Sequence, residues 1–238
     1  MERNPLIVVG SGPGEDVDSE TVIDNWKRAV DTGLGCVIID SHGDSDVAAA
    51  AASKAGAYVF FDEDAEDEEL LSNYETESGA ERVARSVNRF DRFYNHDVII
   101  NIYAKLPKLA SNTISSLLYP LANLDVEVAT LVVPIGREEA NSDEIVKASV
   151  QPIPRSRVHI LGDCQVGQVY QFTRSIDDLA EGEQVYRHIP MYAYKRAALD
   201  RFVNYGPTVK EMEDRLEPER ALANGMNVQA VIVDPSML

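Results

Sequence analysis

Over the first sixty residues, short apolar runs alternate with longer amphipathic ones, and this alternation limits the fold more tightly than any motif does. Leu6-Ile7-Val8-Val9 predicts a buried strand that ends in Gly10-Ser11-Gly12-Pro13-Gly14. Residues 21–32 carry Val22, Trp26 and Val30 at helical spacing, and Gly33 suits the end of that helix. Cys36 to Asp40 predicts a second strand and residues 46–55 an alanine-rich helix that Ser45 could cap. Tyr58 to Phe61 predicts a third strand. Repeated β-α units of this kind imply an α/β fold, doubly wound around a mostly parallel sheet.

Further along, the pattern predicts a helix over 79–93, a strand over 97–102, a helix over 113–124 and a strand over 126–133. From Gly136 the texture changes. Pro152 and Pro154 are expected to interrupt regular structure, and Val158–Leu161 with Gln168–Phe172 reads as a hairpin. A short strand over 191–194, helices over 196–203 and 208–222, and a last strand over 228–233 complete the reading. No repeat or linker divides the chain, so one domain over 1–238 is expected, with 136–190 as a β-rich insertion.

Length and charge narrow the function. The 238 residues suffice for one α/β domain with a sizeable core. Lys and Arg number 22 against 40 Asp and Glu, a net charge of −18. That excess works against nucleic acid and anionic membranes as partners. Residues 62–69 hold seven carboxylates in eight positions, the composition of a solvated acidic loop. No apolar run is long enough to span a bilayer and the start lacks a signal-peptide pattern, so a cytoplasmic address is expected. Cys36 and Cys164 make neither a disulfide framework nor a zinc site.

Taken alone, the motifs leave the chemistry open. Gly10-Ser11-Gly12-Pro13-Gly14 has the composition of a phosphate-binding turn, but Glu15, Asp16, Asp18 and Glu20 follow at once and would repel a phosphate. Asp40, His42, Asp44 and Asp46 could hold a metal, or could cap the next helix and face water. His188 could be catalytic or a hydrogen-bonded structural histidine.

Several stretches together resemble the CMP-Kdo synthetase (3-deoxy-manno-octulosonate cytidylyltransferase) family. Ser78-Gly79-Ala80-Glu81-Arg82-Val83-Ala84 is similar to its SGTERLAE segment, and Ala129 to Ile135 (ATLVVPI) to its ATLAVPI strand. Phe172-Thr173-Arg174 resembles FSR, residues 187–194 (RHIPMYAY) resemble RHLGIYGY, and residues 216–222 (LEPERAL) resemble LEQLRVL. The similarity runs in register over roughly residues 70–233, and in pattern only before that.

The resemblance implies a nucleotidyltransferase-type sandwich with a small dimerising β-extension, hence a homodimer. It also implies an activity that couples CTP to the sugar acid Kdo, using Mg²⁺. On the sugar-acid side, Arg174, His188, Tyr192 and Glu217 match pocket residues, with Pro218 in place of a glutamine. Lys147 and Arg220 also match, as site residues or as structural ion-pair partners. On the nucleotide side Gly10, Ser11, Gly12, Ser78 and Gly79 remain. The family's basic ARYxSxRLPGKPL loop is replaced by GSGPGEDVDSET, and its cytosine-recognising arginine by Asn73. A Mg²⁺-binding aspartate falls at Lys105. Asp234, or the Asp40–Asp46 loop, could substitute for missing metal ligands.

A catalytically impaired relative is therefore expected, with no catalytic residues and no resident metal. It would keep a sugar-acid pocket or a regulatory role, conceived as binding an active paralogue. The alternative is an active cytidylyltransferase with shifted Mg²⁺ ligands.

Overall fold

The computed structural model describes residues 4–10, 17–41, 50, 56–60, 78–106, 110–158, 164–179, 182–214 and 216–237. Their contacts gather into two compact units, 1–111 and 112–238. The expected helix over 46–55, the acidic run and Asn73 lie outside the described residues.

In the first unit, strands β1 (Pro5–Gly10), β2 (Cys36–Asp40), β3 (Tyr58–Phe60) and β4 (Val98–Tyr103) pair in parallel in the order β3-β2-β1-β4. Leu6, Ile7, Val8, Val9, Ile99 and Ile100 are wholly buried, which is why these strands read as unbroken apolar runs. Helix α1 (Ser19–Val30) packs on β1 and β2 through Val22, Ile23 and Ala29. Asp18 caps it, accepting from the Thr21 amide at 2.9 Å and the Thr21 hydroxyl at 2.8 Å. Beyond its end Gly33 adopts φ +63°, the left-handed conformation expected after a helix. Helix α2 (Gly79–Phe90) stops three residues before the sequence pattern predicts. The buried Asp91 carboxylate accepts from the amides of Asn95 (2.8 Å) and His96 (3.0 Å) and turns the chain into β4.

The second unit is built on β5 (Val128–Ile135), flanked by antiparallel β8 (Val185–Lys195) and parallel β9 (Val228–Ile232). Antiparallel β7 (Cys164–Thr173) follows β9, and β6 (Lys147–Val158) follows β7. β6 also pairs with β8, at Lys147–Arg187 and Ala148–Tyr186, so the five strands close on themselves. The parallel pairs therefore dominate one unit and the antiparallel pairs gather in the other, giving the mixed α/β architecture that the sequence predicts.

Local differences have local causes. The expected helix over 113–124 is a short α3 (Ser111–Ser116) followed by a 3-10 turn at Pro120–Ala122, because Pro120 has no N–H to continue the helix. The expected helix over 208–222 is two, α6 (Val209–Asp214) and α7 (Pro218–Ala223), divided before Pro218. Two further helices are α4 (Arg137–Ala140) and α5 (Arg196–Asn204). Pro152 and Pro154 do not end β6. The pairing with β7 shifts register between Pro152 and Arg157, and the bulge absorbs the missing donors. Among the described residues no helix is long and apolar enough to cross a membrane.

Candidate functional site

The sugar-acid candidates belong to the second unit, where strand register brings two of them together. Lys147 on β6 pairs with Thr173 on one side and Arg187 on the other. Arg174 and His188 are the next residues on β7's exit and on β8, and the His188 amide donates to Val146 O at 2.8 Å. Val146 thus separates Arg174 from His188.

Arg174 is half-buried, and carbonyl oxygens hold its guanidinium. Nε donates to Asp214 O at 2.9 Å, and Nη1 to Asp143 O and Glu144 O at 3.3 and 3.4 Å. Among the described residues no carboxylate pairs with it. The nearby Asp178 carboxylate instead accepts from the Thr173 hydroxyl. Lys147 is fully buried, and its ammonium donates to Ser142 O at 2.6 Å and to Arg174 O. Burial lowers the Lys147 pKa below its ordinary value; Asp143 pulls it upward and the charge of Arg174 pushes it down. Two neighbouring cations are thus hydrogen-bonded to neutral oxygens, which leaves their charge in place.

His188 is buried on β8 between the rings of Phe172 (centroids 4.8 Å apart) and Tyr192 (5.4 Å). Pairing with β5 slips between Thr130 and Leu131, opposite Pro190 and Met191, where Pro190 can give the ladder no N–H. The slip sets the Thr130 hydroxyl 3.0 Å from His188 Nε2. The single Thr130 proton goes to Met191 O at 2.9 Å, so Nε2–H donates to Thr130 and Nδ1 is the bare nitrogen. Burial pushes the His188 pKa down to about 3, so the ring is neutral at physiological pH. Tyr192 continues the stack through Tyr194 to Phe202, at centroid spacings of 5.8 and 6.1 Å.

Glu217 opens α7, half-buried, two residues before Glu219. The Glu219 carboxylate accepts from the Phe172 amide, and burial raises its pKa despite that bond. The α6–α7 corner therefore meets the end of β7 twice, at Asp214–Arg174 and at Glu219–Phe172. Arg220, the other matched cation, is structural. It forms a buried two-point ion pair with Glu211, Nε–Oε2 2.8 Å and Nη2–Oε1 2.5 Å, and lies 5.0 Å from the centroid of Phe202. Motif reading gave Thr130, Ser142 and Glu219 no role. A threonine inside the apolar ATLVVPI run is the one visible signal, since a buried hydroxyl must find a partner.

The nucleotide candidates belong to the first unit, and Ser11 and Gly12 lie outside its described residues. Gly10 ends β1 opposite Asp40, whose carboxylate accepts from Ser86 Oγ at 3.0 Å. Ser78 caps α2 in a reciprocal box with Glu81: the Ser78 amide donates to Glu81 Oε2 at 2.7 Å, and the Glu81 amide to Ser78 Oγ at 3.3 Å. A Cβ on Gly79 would stand 1.8 Å from the Tyr103 hydroxyl, so only glycine admits that tyrosine here.

Of the positions that the resemblance offers for magnesium, two are described. Lys105, where the resemblance calls for an aspartate, is an exposed ammonium and cannot be a ligand. Asp234 is exposed and its Oδ1 accepts from the Ser236 amide (2.8 Å) and hydroxyl (2.6 Å), a turn of its own. Among the described residues no three His, Cys, Asp or Glu side chains converge as a metal site. His42, Asp44 and Asp46 lie outside them.

Residues 63–228 match the family model described as Cytidylyltransferase. The 3-deoxy-manno-octulosonate cytidylyltransferase of Methylobacterium nodulans is 33% identical over 224 residues, 93% of this chain and 82% of that protein. The protein of the same name from Paramagnetospirillum magneticum is 33% identical over 244 residues, 98% of this chain and 91% of its own length. A solved structure of CMP:2-keto-3-deoxy-manno-octonic acid synthetase complexed with CTP superposes with a TM-score of 0.75 at 20% identity, covering 97% of this chain and 90% of that one. A 4-diphosphocytidyl-2C-methyl-D-erythritol synthase superposes at 0.58 with 12% identity, covering 100% and 92%. The fold is theirs, and the chain belongs to the cytidylyltransferase family, as a relative of the 3-deoxy-manno-octulosonate cytidylyltransferases.

Proposed function

We propose that this chain binds a sugar acid of the Kdo type in its second unit and does not transfer a cytidylyl group by its relatives' route. The observation that carries this reading is the Arg174 guanidinium, oriented by three carbonyl oxygens and paired with no carboxylate among the described residues. A sugar carboxylate supplies the missing countercharge. His188, Tyr192 and Glu217 complete the pocket that the resemblance implies, with the two rings inclined at 50° to each other.

Chemistry by the relatives' route needs phosphate clamps and a metal. Losing one such charge-stabilising group costs about 10²–10³ in rate. Here GSGPGEDVDSET carries no base, Asn73 replaces an arginine and Lys105 replaces an aspartate. The chain is read as one cytoplasmic domain over 1–238. The resemblance implies a homodimer with the β-rich region 136–190 as its dimerisation region, and the alternative to sugar-acid binding is a regulatory role, with an active paralogue as the partner.

A second reading, an active cytidylyltransferase with shifted metal ligands, draws on the 33% identity to enzymes of that name over nearly the whole chain. It would place Mg²⁺ at Asp234 or the Asp40–Asp46 loop.

Calorimetric titration with Kdo tests the binding claim. Wild-type protein is expected to bind, and Arg174→Ala to lose at least about 30-fold in affinity, the cost of removing one partner of a buried charge pair. No binding by the wild type, or equal affinity in the variant, overturns the proposal.

A further inference from the structure

We infer that Lys147 is the positioning residue of the Arg174 guanidinium, tying the 142–144 turn to the end of β7 so that the turn's carbonyls steer Nη1. The inference rests on the sugar-acid reading only for its consequence in binding. The geometry stands by itself: one buried ammonium donates to Ser142 O at 2.6 Å and to Arg174 O, and the next two carbonyls of the turn, Asp143 O and Glu144 O, accept from Arg174 Nη1. Lys147 thus fixes the backbone of Arg174 and the cradle of its side chain at once.

A fully buried ammonium beside a second cation is costly, and an apolar side chain of similar volume would serve packing better. No apolar side chain could bridge two carbonyls from separate segments. A carboxylate partner could neutralise Lys147, but it would also draw on Arg174. The two carbonyl partners hold two of the three ammonium donors and, being neutral, leave the positive charge of the pair for an incoming anion. The arrangement therefore makes sense as preorganisation: the guanidinium is aimed before ligand arrives, and less ordering is left to oppose binding.

The test compares wild type with Lys147→Met and Lys147→Gln, using two readouts. The first needs no ligand: exchange of the arginine Nη–H protons by ¹⁵N NMR, with the Arg174 signals assigned by their loss in Arg174→Lys. Arg220, whose Nη2–H is held by Glu211, is the internal control. In a folded Lys147→Met protein the Arg174 Nη–H protons are expected to exchange at least about tenfold faster while Arg220 stays within about twofold. Lys147→Gln, with shorter reach, should shift the same way, and it carries the test if Lys147→Met does not fold. Unchanged Arg174 exchange in either folded variant, or equal acceleration of Arg174 and Arg220, overturns the positioning role. The second readout is Kdo affinity, expected to fall at least about tenfold in a folded variant. Wild type that fails to bind Kdo refutes the sugar-acid reading alone, because the exchange result still decides the role of Lys147. Binding by wild type with undiminished affinity in the variants refutes the positioning role alone.

Discussion

The two units bury different things. In the first unit β1 is apolar through Val9, while β2 and β4 bury Asp40 and Asn101 among apolar neighbours; of its described candidate residues, Ser78 is committed to a cap and Gly79 to close packing. The second closes five strands on Thr130, Lys147, Thr173 and His188, all buried and each hydrogen-bonded to a named partner. Polar groups in a core cost stability unless satisfied, so these partners help to specify how the second unit folds. Among the described residues of the first unit, the buried Asp40 carboxylate at the end of β2 accepts from Ser86, Ser78 and Glu81 satisfy each other, and Lys105 is exposed. On the proposed function, recognition of the acid falls to the second unit.

The largest expected effect tests whether the second unit depends on its buried charges. Glu211 both pairs with Arg220 and accepts from the Thr208 amide at 3.2 Å, capping α6. Glu211→Ala should destabilise the protein by about 3–5 kcal/mol in urea unfolding, because it strands the Arg220 charge. A loss under about 1 kcal/mol would show that the pair is incidental.

Acid should next distinguish the units through His188. Its folded pKa, about 3, lies below the ordinary 6.5, so between these values the unfolded chain takes up a proton that the folded chain refuses. Stability is then complete above about pH 6.5 and falls by about 1.4 kcal/mol per pH unit on acidification toward 3. His188→Phe should remove one proton's worth of that slope. An unaltered slope would mean that the ring charges freely and is not sealed in the core.

The first unit is tested by volume instead. Gly79→Ala sets a methyl against the Tyr103 hydroxyl and should cost about 1–3 kcal/mol, recovered in part when Tyr103→Ala is added. Full additivity of the two changes would show that α2 and β4 are not in tight contact there.

The sequence told these units apart only in part, for a physical reason. Leu6–Val9, Cys36–Asp40 and the β4 run were legible because strands buried on both faces are apolar along most of their length, with Asp40 and Asn101 as buried polar exceptions. Helix α1 was legible from its periodicity, and its glycine stop at Gly33 from the φ it adopts. The length of β6 and β8 was not. Pro152, Pro154 and Pro190 argue locally against a strand, and only cross-strand pairing with bulges overrides them. The site followed the same rule. Motif similarity singled out Arg174, His188, Tyr192 and Glu217, but what decides their chemistry is long-range: carbonyls from the 142–144 turn and Asp214 around Arg174, and a strand slip that joins Thr130 to His188. No local pattern encodes those partners. Arg220 is the opposite case, a matched cation that proved to be held by Glu211, nine residues away.

The most direct test of sugar-acid binding without transfer is pyrophosphate release from CTP with Kdo and Mg²⁺, run beside the Methylobacterium nodulans relative. The account predicts no release above background, because several phosphate-binding charges and a metal ligand are replaced at once, each worth about 10²–10³ in rate. Turnover within about tenfold of that relative would contradict it, and would mean that a rebuilt site handles the triphosphate.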